Sequence, residues 1–179
     1  AIRRFRDNAL NSDHPKSRGS AEGPEVFFQN RESVNRFYDE VPAIVEEYMD
    51  KINELAGTDY KLFNYYGAED AEYMIVTMGS SAGVIRETID YWNARGKKYG
   101  VLEVHLYRPF VNDKFLAAIP KSVKKIAVLD RTKEPGAPGE PLYLDVRNAI
   151  LGAIPVVGGR YGLGSKDFTP NDAMAVFLN

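Results

Sequence analysis

The chain has 179 residues, enough for one sizeable core or for one domain with an extra arm. Hydrophobic residues make up 44% and charged residues 27%, the balance of an ordinary globular chain. A net charge of −2 gives no electrostatic reason to bind nucleic acid or an anionic membrane, and no apolar run approaches the ~20 residues of a membrane span.

Residues 1–32 read as a polar, turn-rich arm, with His14-Pro15, Arg18-Gly19-Ser20 and Gly23-Pro24 as its breaks and Val26 to Phe28 as its apolar patch. Simple terminal disorder is the plainer alternative. Val34, Phe37, Val41, Ile44, Tyr48, Ile52 and Leu55 then recur at spacings of three and four, one face of a helix. Pro42 predicts a kink or two abutting helices near Val41, and Gly57 a stop.

From there strands and helices alternate. Tyr73–Met78 reads as a buried strand, and Ile85, Ile89 and Trp92 mark a helix closed by Gly96. Val101–Tyr107 is β-rich and Phe110–Ile119 helical in pattern. Lys125–Asp130 is a second buried strand, Leu142–Leu151 a helix and Ile154–Val157 a short strand. Thr169-Pro170 predicts the start of a last helix. Leu62–Tyr66 is a candidate extra strand. The alternation predicts an α/β fold: an open, mostly parallel sheet with helices on both faces.

In such sheets ligands sit beyond the carboxyl ends of the strands. Four ends qualify: Gly79–Gly83, Arg108–Phe110, Asp130–Lys133 and Gly158–Gly162. Gly79, Ser80 and Ser81 place small residues before a helix start, where backbone could approach a phosphate. They match neither dinucleotide-binding nor P-loop spacing, and helix capping is the plainer reading. Arg108 could clamp a carboxylate or phosphate, or pair with a neighbouring acid. Asp130, Arg131 and Lys133 read by default as a solvated charge cluster, and the Gly158–Gly162 run as an exposed turn. His105, on a strand, reads as a hydrogen-bonded structural residue. His14 is the only other histidine, so a His-rich metal site or a catalytic triad has no basis. The chain has no Cys, which excludes a disulfide, a thiolate zinc site and a cysteine-ligated cluster within it, and fits a reducing, cytoplasmic setting. No catalytic constellation and no metal site emerge from the residues.

Longer stretches are more specific. Leu106–Phe110 (LYRPF), Ala127–Gly136 (AVLDRTKEPG), Gly139–Val146 (GEPLYLDV) and Gly159–Phe168 (GRYGLGSKDF) resemble pyruvate:ferredoxin (flavodoxin) oxidoreductase. His14-Pro15, Arg18-Gly19, Val26–Gln29 and Glu47–Met49 fit the same family, so the resemblance covers nearly the whole chain. It implies the second core domain, similar to the C-terminal domain of transketolase-like enzymes. Residues 1–32 would be an arm from the preceding pyrimidine-binding domain, 33–168 the α/β core, and 169–179 the start of the next connection. Ala1 in place of Met fits an excised piece.

The resemblance further implies a parent enzyme that decarboxylates pyruvate oxidatively to acetyl-CoA, passing electrons to ferredoxin or flavodoxin. Thiamine diphosphate, Mg2+ and [4Fe-4S] clusters would be held by other domains of the same polypeptide, with coenzyme A as co-substrate and a homodimer as the assembly. This chain would be a structural, interdomain part with no catalytic residue, and Arg108, Asp130, Arg131 and Lys133 would make interdomain contacts. Two readings stay open: a coenzyme A or phosphate-binding module using Gly79, Ser80, Ser81 and Arg108, and the same domain of another 2-oxoacid:acceptor oxidoreductase.

Overall fold

The computed structural model describes residues 1–15, 19 and 21–179. Of the expected turn at Arg18-Gly19-Ser20, only Gly19 lies within the described residues. The chain divides into two compact units, residues 1–36 and 37–179.

The first unit contains helices α1 (Ile2–Asp7) and α2 (Pro24–Ser33), where the sequence suggested an arm. Pro24 at the first helical position starts α2, because its missing N–H would have had no partner there. Val26, Phe27 and Phe28 are all exposed. The next helix, α3 (Asn35–Ala56), differs from expectation at Pro42, which lies inside one helical segment. Proline removes a single ladder bond, and the turns on either side continue around it; the helix boundary falls instead at Val34.

The second unit is built on a five-stranded sheet of β1 (Phe63–Gly67), β2 (Tyr73–Thr77), β3 (Tyr99–Val104), β4 (Lys125–Asp130) and β5 (Val156–Arg160), in the order β1-β3-β2-β4-β5. β2 to β5 run parallel, and β1 joins the β3 edge antiparallel with Tyr65 opposite Leu102. Helices α4 (Ala82–Asn93), α5 (Asn112–Ala117), α6 (Pro141–Ile150) and α7 (Pro170–Leu178) complete the unit.

The central strands are apolar on both faces because both faces are covered. Met74, Val76, Leu102, Ile126 and Val128 pack with Phe115 of α5 and Leu142 and Val146 of α6. Alternate residues Ile75, Val101 and Leu129 pack with Ile85 and Ile89 of α4 and Phe177 of α7 on the other face. The chain therefore leaves β2 over one face to reach β3 and crosses to the other face to reach β4. The carboxyl ends of β2 and β4 are the point where the winding reverses, the usual ligand crevice of such sheets. Thr169 caps α7 as predicted, with Asp172 N–H donating to its Oγ1 at 3.3 Å and Thr169 N–H donating to the Asp172 carboxylate at 2.8 Å.

Candidate functional site

β4 delivers Asp130 to its buried end, directly under the start of α6. The carboxylate accepts the Leu142 N–H at 2.9 Å and the Tyr143 N–H at 3.1 Å. These are among the orphan donors of the first helical turn. Burial pushes the Asp130 pKa up, and the two N–H donors pull against it. Asp130 is thus a helix cap supplied from a strand and not a member of a solvated cluster.

Arg131, the next residue, points elsewhere. Its Nε donates to the Gly162 carbonyl and one guanidinium nitrogen to Ser80 Oγ, each at 3.1 Å. Arg131 thereby ties the turn after β2 to the loop after β5, across the crevice where the winding reverses. Tyr161 makes a second tie between the same regions, its hydroxyl donating to the Met78 carbonyl at 3.3 Å.

Glu140, which sequence reasoning missed, organises the rest of the loop. It is buried and accepts the Glu134 N–H at 2.7 Å and the Arg160 guanidinium, with the Lys133 ammonium 3.9 Å away. Arg160 above all holds the Glu140 carboxylate below its ordinary range. A glutamate just before Pro141 was visible; its partner twenty residues later was not.

Two further expectations change. Neither serine caps α4. The backbone of Ser81 is already helical, which is the wrong geometry for a capping side chain, and its hydroxyl lies 2.7 Å from that of buried Thr77. The Gly158-Gly159 pair is not a turn but part of β5. A Cβ there would meet the Tyr143 ring at 3.1 Å and Leu129 at 2.8 Å, so the two glycines let α6 and β4 close on the strand.

Arg108 stands apart from the Arg131 tie. It pairs with Asp145 of α6 at 2.8 Å, donates to the Tyr107 hydroxyl at 3.0 Å and stacks on the Tyr107 ring. Burial, then the adjacent Asp145, pushes the Tyr107 phenol up to about 12. His105 is hydrogen-bonded as expected but lies just beyond β3 and not on it: its Nδ1 is 3.0 Å from the Lys61 carbonyl and its ring meets Tyr60 edge-on. The second missed feature is Glu103, buried on β3 and held by Arg86 of α4 through two bonds, at 2.5 and 2.8 Å.

Residues 71–173 match the family model described as pyruvate:ferredoxin oxidoreductase core domain II. The chain belongs to that family. It is 56% identical, over its whole length, to pyruvate-flavodoxin oxidoreductase of Enterobacter agglomerans, and 53% identical to pyruvate:ferredoxin oxidoreductase of Moorella thermoacetica. In each case it spans only 16% of the relative. A solved structure of 2-oxoglutarate:ferredoxin oxidoreductase from Magnetococcus marinus is similar with 25% identity and a TM-score of 0.49, over 65% of this chain and 19% of that one.

The chain has no Cys that could bind an iron–sulfur cluster. No group of three His, Asp or Glu among the described residues could hold a metal ion. No helix among them is long and apolar enough to cross a membrane.

Proposed function

We propose that this chain is core domain II of a pyruvate oxidoreductase and that it serves there as an interdomain scaffold without a catalytic residue. The parent reaction would be oxidative decarboxylation of pyruvate to acetyl-CoA, with electrons passed to ferredoxin or flavodoxin. Thiamine diphosphate, Mg2+ and [4Fe-4S] clusters would belong to other domains of a cytoplasmic homodimer. The observation that carries the scaffold role is the Arg131 tie from Ser80 to Gly162. It places a structural clamp at the position where an α/β sheet would normally open to a ligand. Near-equal identity to a flavodoxin-named and a ferredoxin-named relative fits an acceptor chosen outside this domain.

A second reading has one observation in its favour. No side chain caps the first turn of α4, and the space around Gly79 and Gly83 is open, as a phosphate of coenzyme A would require.

Pyruvate-dependent reduction of ferredoxin and flavodoxin by the full-length protein and its Arg131→Ala and Arg108→Ala variants tests both readings. The scaffold role predicts that activity falls in step with assembly or stability. Full assembly and stability with activity lost would overturn it, and so would no change in any of the three. A selective rise in KM for coenzyme A would establish the second reading instead.

A further inference from the structure

Helix α3 carries a face that the second unit leaves uncovered. On one side Val45 and Met49 pack against the core, and Glu46 is bonded to Lys114 of α5 at 2.5 Å. Rotated from there, Ile44, Tyr48, Ile52 and Leu55 form a stripe with Val41, and these four side chains are 48–88% exposed. The spacing of Val41, Ile44, Tyr48 and Leu55 is that of an apolar seam between paired helices. Glu40, Glu47 and Glu54 recur every seven residues along the outer border of the stripe, and all three are exposed. Lys51, seven residues after Ile44, takes a position of the seam itself; it is bonded to Glu47 and lies 4.7 Å over the Tyr48 ring.

This border discriminates among occupants. A second α3 laid antiparallel would set the glutamate row against a glutamate row, and one laid parallel would set it against Tyr38, Val45 and Ile52. Neither arrangement adds a fresh counter-charge, because the Lys51 that each copy brings is already bonded to its own Glu47, so a second copy is disfavoured. An apolar helix face bordered by Lys or Arg satisfies both the stripe and the row.

We infer that α3 docks through the Val41–Leu55 stripe onto an apolar helix face bordered by Lys or Arg, located in another domain of the same full-length polypeptide. The inference rests on the scaffold reading above and gives it a surface and a partner chemistry.

Zero-length carbodiimide cross-linking of the full-length protein tests it, followed by peptide mapping. The expected result is intrachain amide links from Glu47 or Glu54 to lysines outside residues 1–179, lost in a Glu47→Gln/Glu54→Gln variant. Hydrogen exchange of α3 in the same protein should accelerate on the order of tenfold when Glu40, Glu47 and Glu54 are changed to Lys. Links between subunits, or the absence of links together with exchange unaffected by charge reversal, would overturn the docking. Where a partner border is purely Arg, links are absent but charge reversal still accelerates exchange, which supports it. Pyruvate oxidation is assayed in parallel: an active protein with a solvent-open α3 refutes the docking alone, whereas a protein without that activity refutes the functional reading.

Discussion

Asp130 at the end of β4 accepts a hydrogen bond from the Leu142 N–H, 2.9 Å away and twelve residues later in the chain. The adjacent Tyr143 N–H binds the other carboxylate oxygen. Removing the carboxylate strands two helical N–H groups, one of them fully enclosed. Asp130→Ala should therefore cost about 2–4 kcal/mol locally, and Asp130→Asn, which keeps one acceptor, about 1 kcal/mol. In the full-length protein this reads as faster hydrogen exchange across α6, by about 30- to 1000-fold for alanine. Unchanged exchange in the alanine variant would refute the cap.

The two carboxylates at this strand end respond to pH with opposite signs. The folded pKa of Asp130 is raised, so the protonated form favours folding and that contribution is lost as pH rises through the raised value. The folded pKa of Glu140 is lowered from its ordinary 4.5, so its contribution is present above that value and lost as pH falls through the lowered one. The stability advantage of the wild type over Glu140→Gln should be full at neutral pH and close in acid. Unfolding midpoints measured from about pH 7 to about pH 3 give the answer, and a pH-independent gap would refute the assignment.

Arg86→Ala should leave the Glu103 carboxylate buried without its bidentate partner. Stranding a buried charge costs about 3–5 kcal/mol in full. Here about 1–3 kcal/mol is expected, because the Arg86 side chain is 42% exposed and water screens the pair. Arg86→Ala/Glu103→Gln should recover part of the loss; a double-mutant cycle with no coupling would show that the two residues do not act together.

Gly67 ends β1 with φ +132, and an added Cβ would lie 2.5 Å from the Tyr99 carbonyl oxygen and 2.7 Å from the Gly100 Cα. Both obstacles are backbone and cannot rotate away. Gly67→Ala should cost at least about 2–3 kcal/mol and detach β1 from β3. Selective loss of exchange protection in residues 63–67 and 100–104 is the expected signature, and full protection would contradict it.

The sequence was most informative where the signal is local. Lys125–Asp130 is a short apolar run, and the strand occupies those residues; Thr169-Pro170 starts the last helix where the pair predicts it. Leu62–Tyr66 was legible as a strand, but its antiparallel direction depends on the tertiary path and leaves no local mark. β5 begins two residues later than expected and extends through Gly158 and Gly159, because glycines carry no side-chain pattern to read. The strand ends were legible as places, while their partners were not. Arg131 was visible as a cation, but nothing near it in sequence names Gly162 or Ser80, 31 and 51 residues away. Ser81 looked like a cap until Thr77 was placed beside it.

The partners of the β4 tip all lie later in the chain, apart from Ser80. Asp130 requires Leu142 and Tyr143, Glu140 requires Arg160, and Arg131 requires Gly162. As the polypeptide emerges from the ribosome, β4 can pair with β2 long before its own end is satisfied. The locking of the β4 tip during synthesis therefore waits for Gly162 to clear the exit tunnel, and until α6 has emerged the carboxylate of Asp130 has no helix to hold.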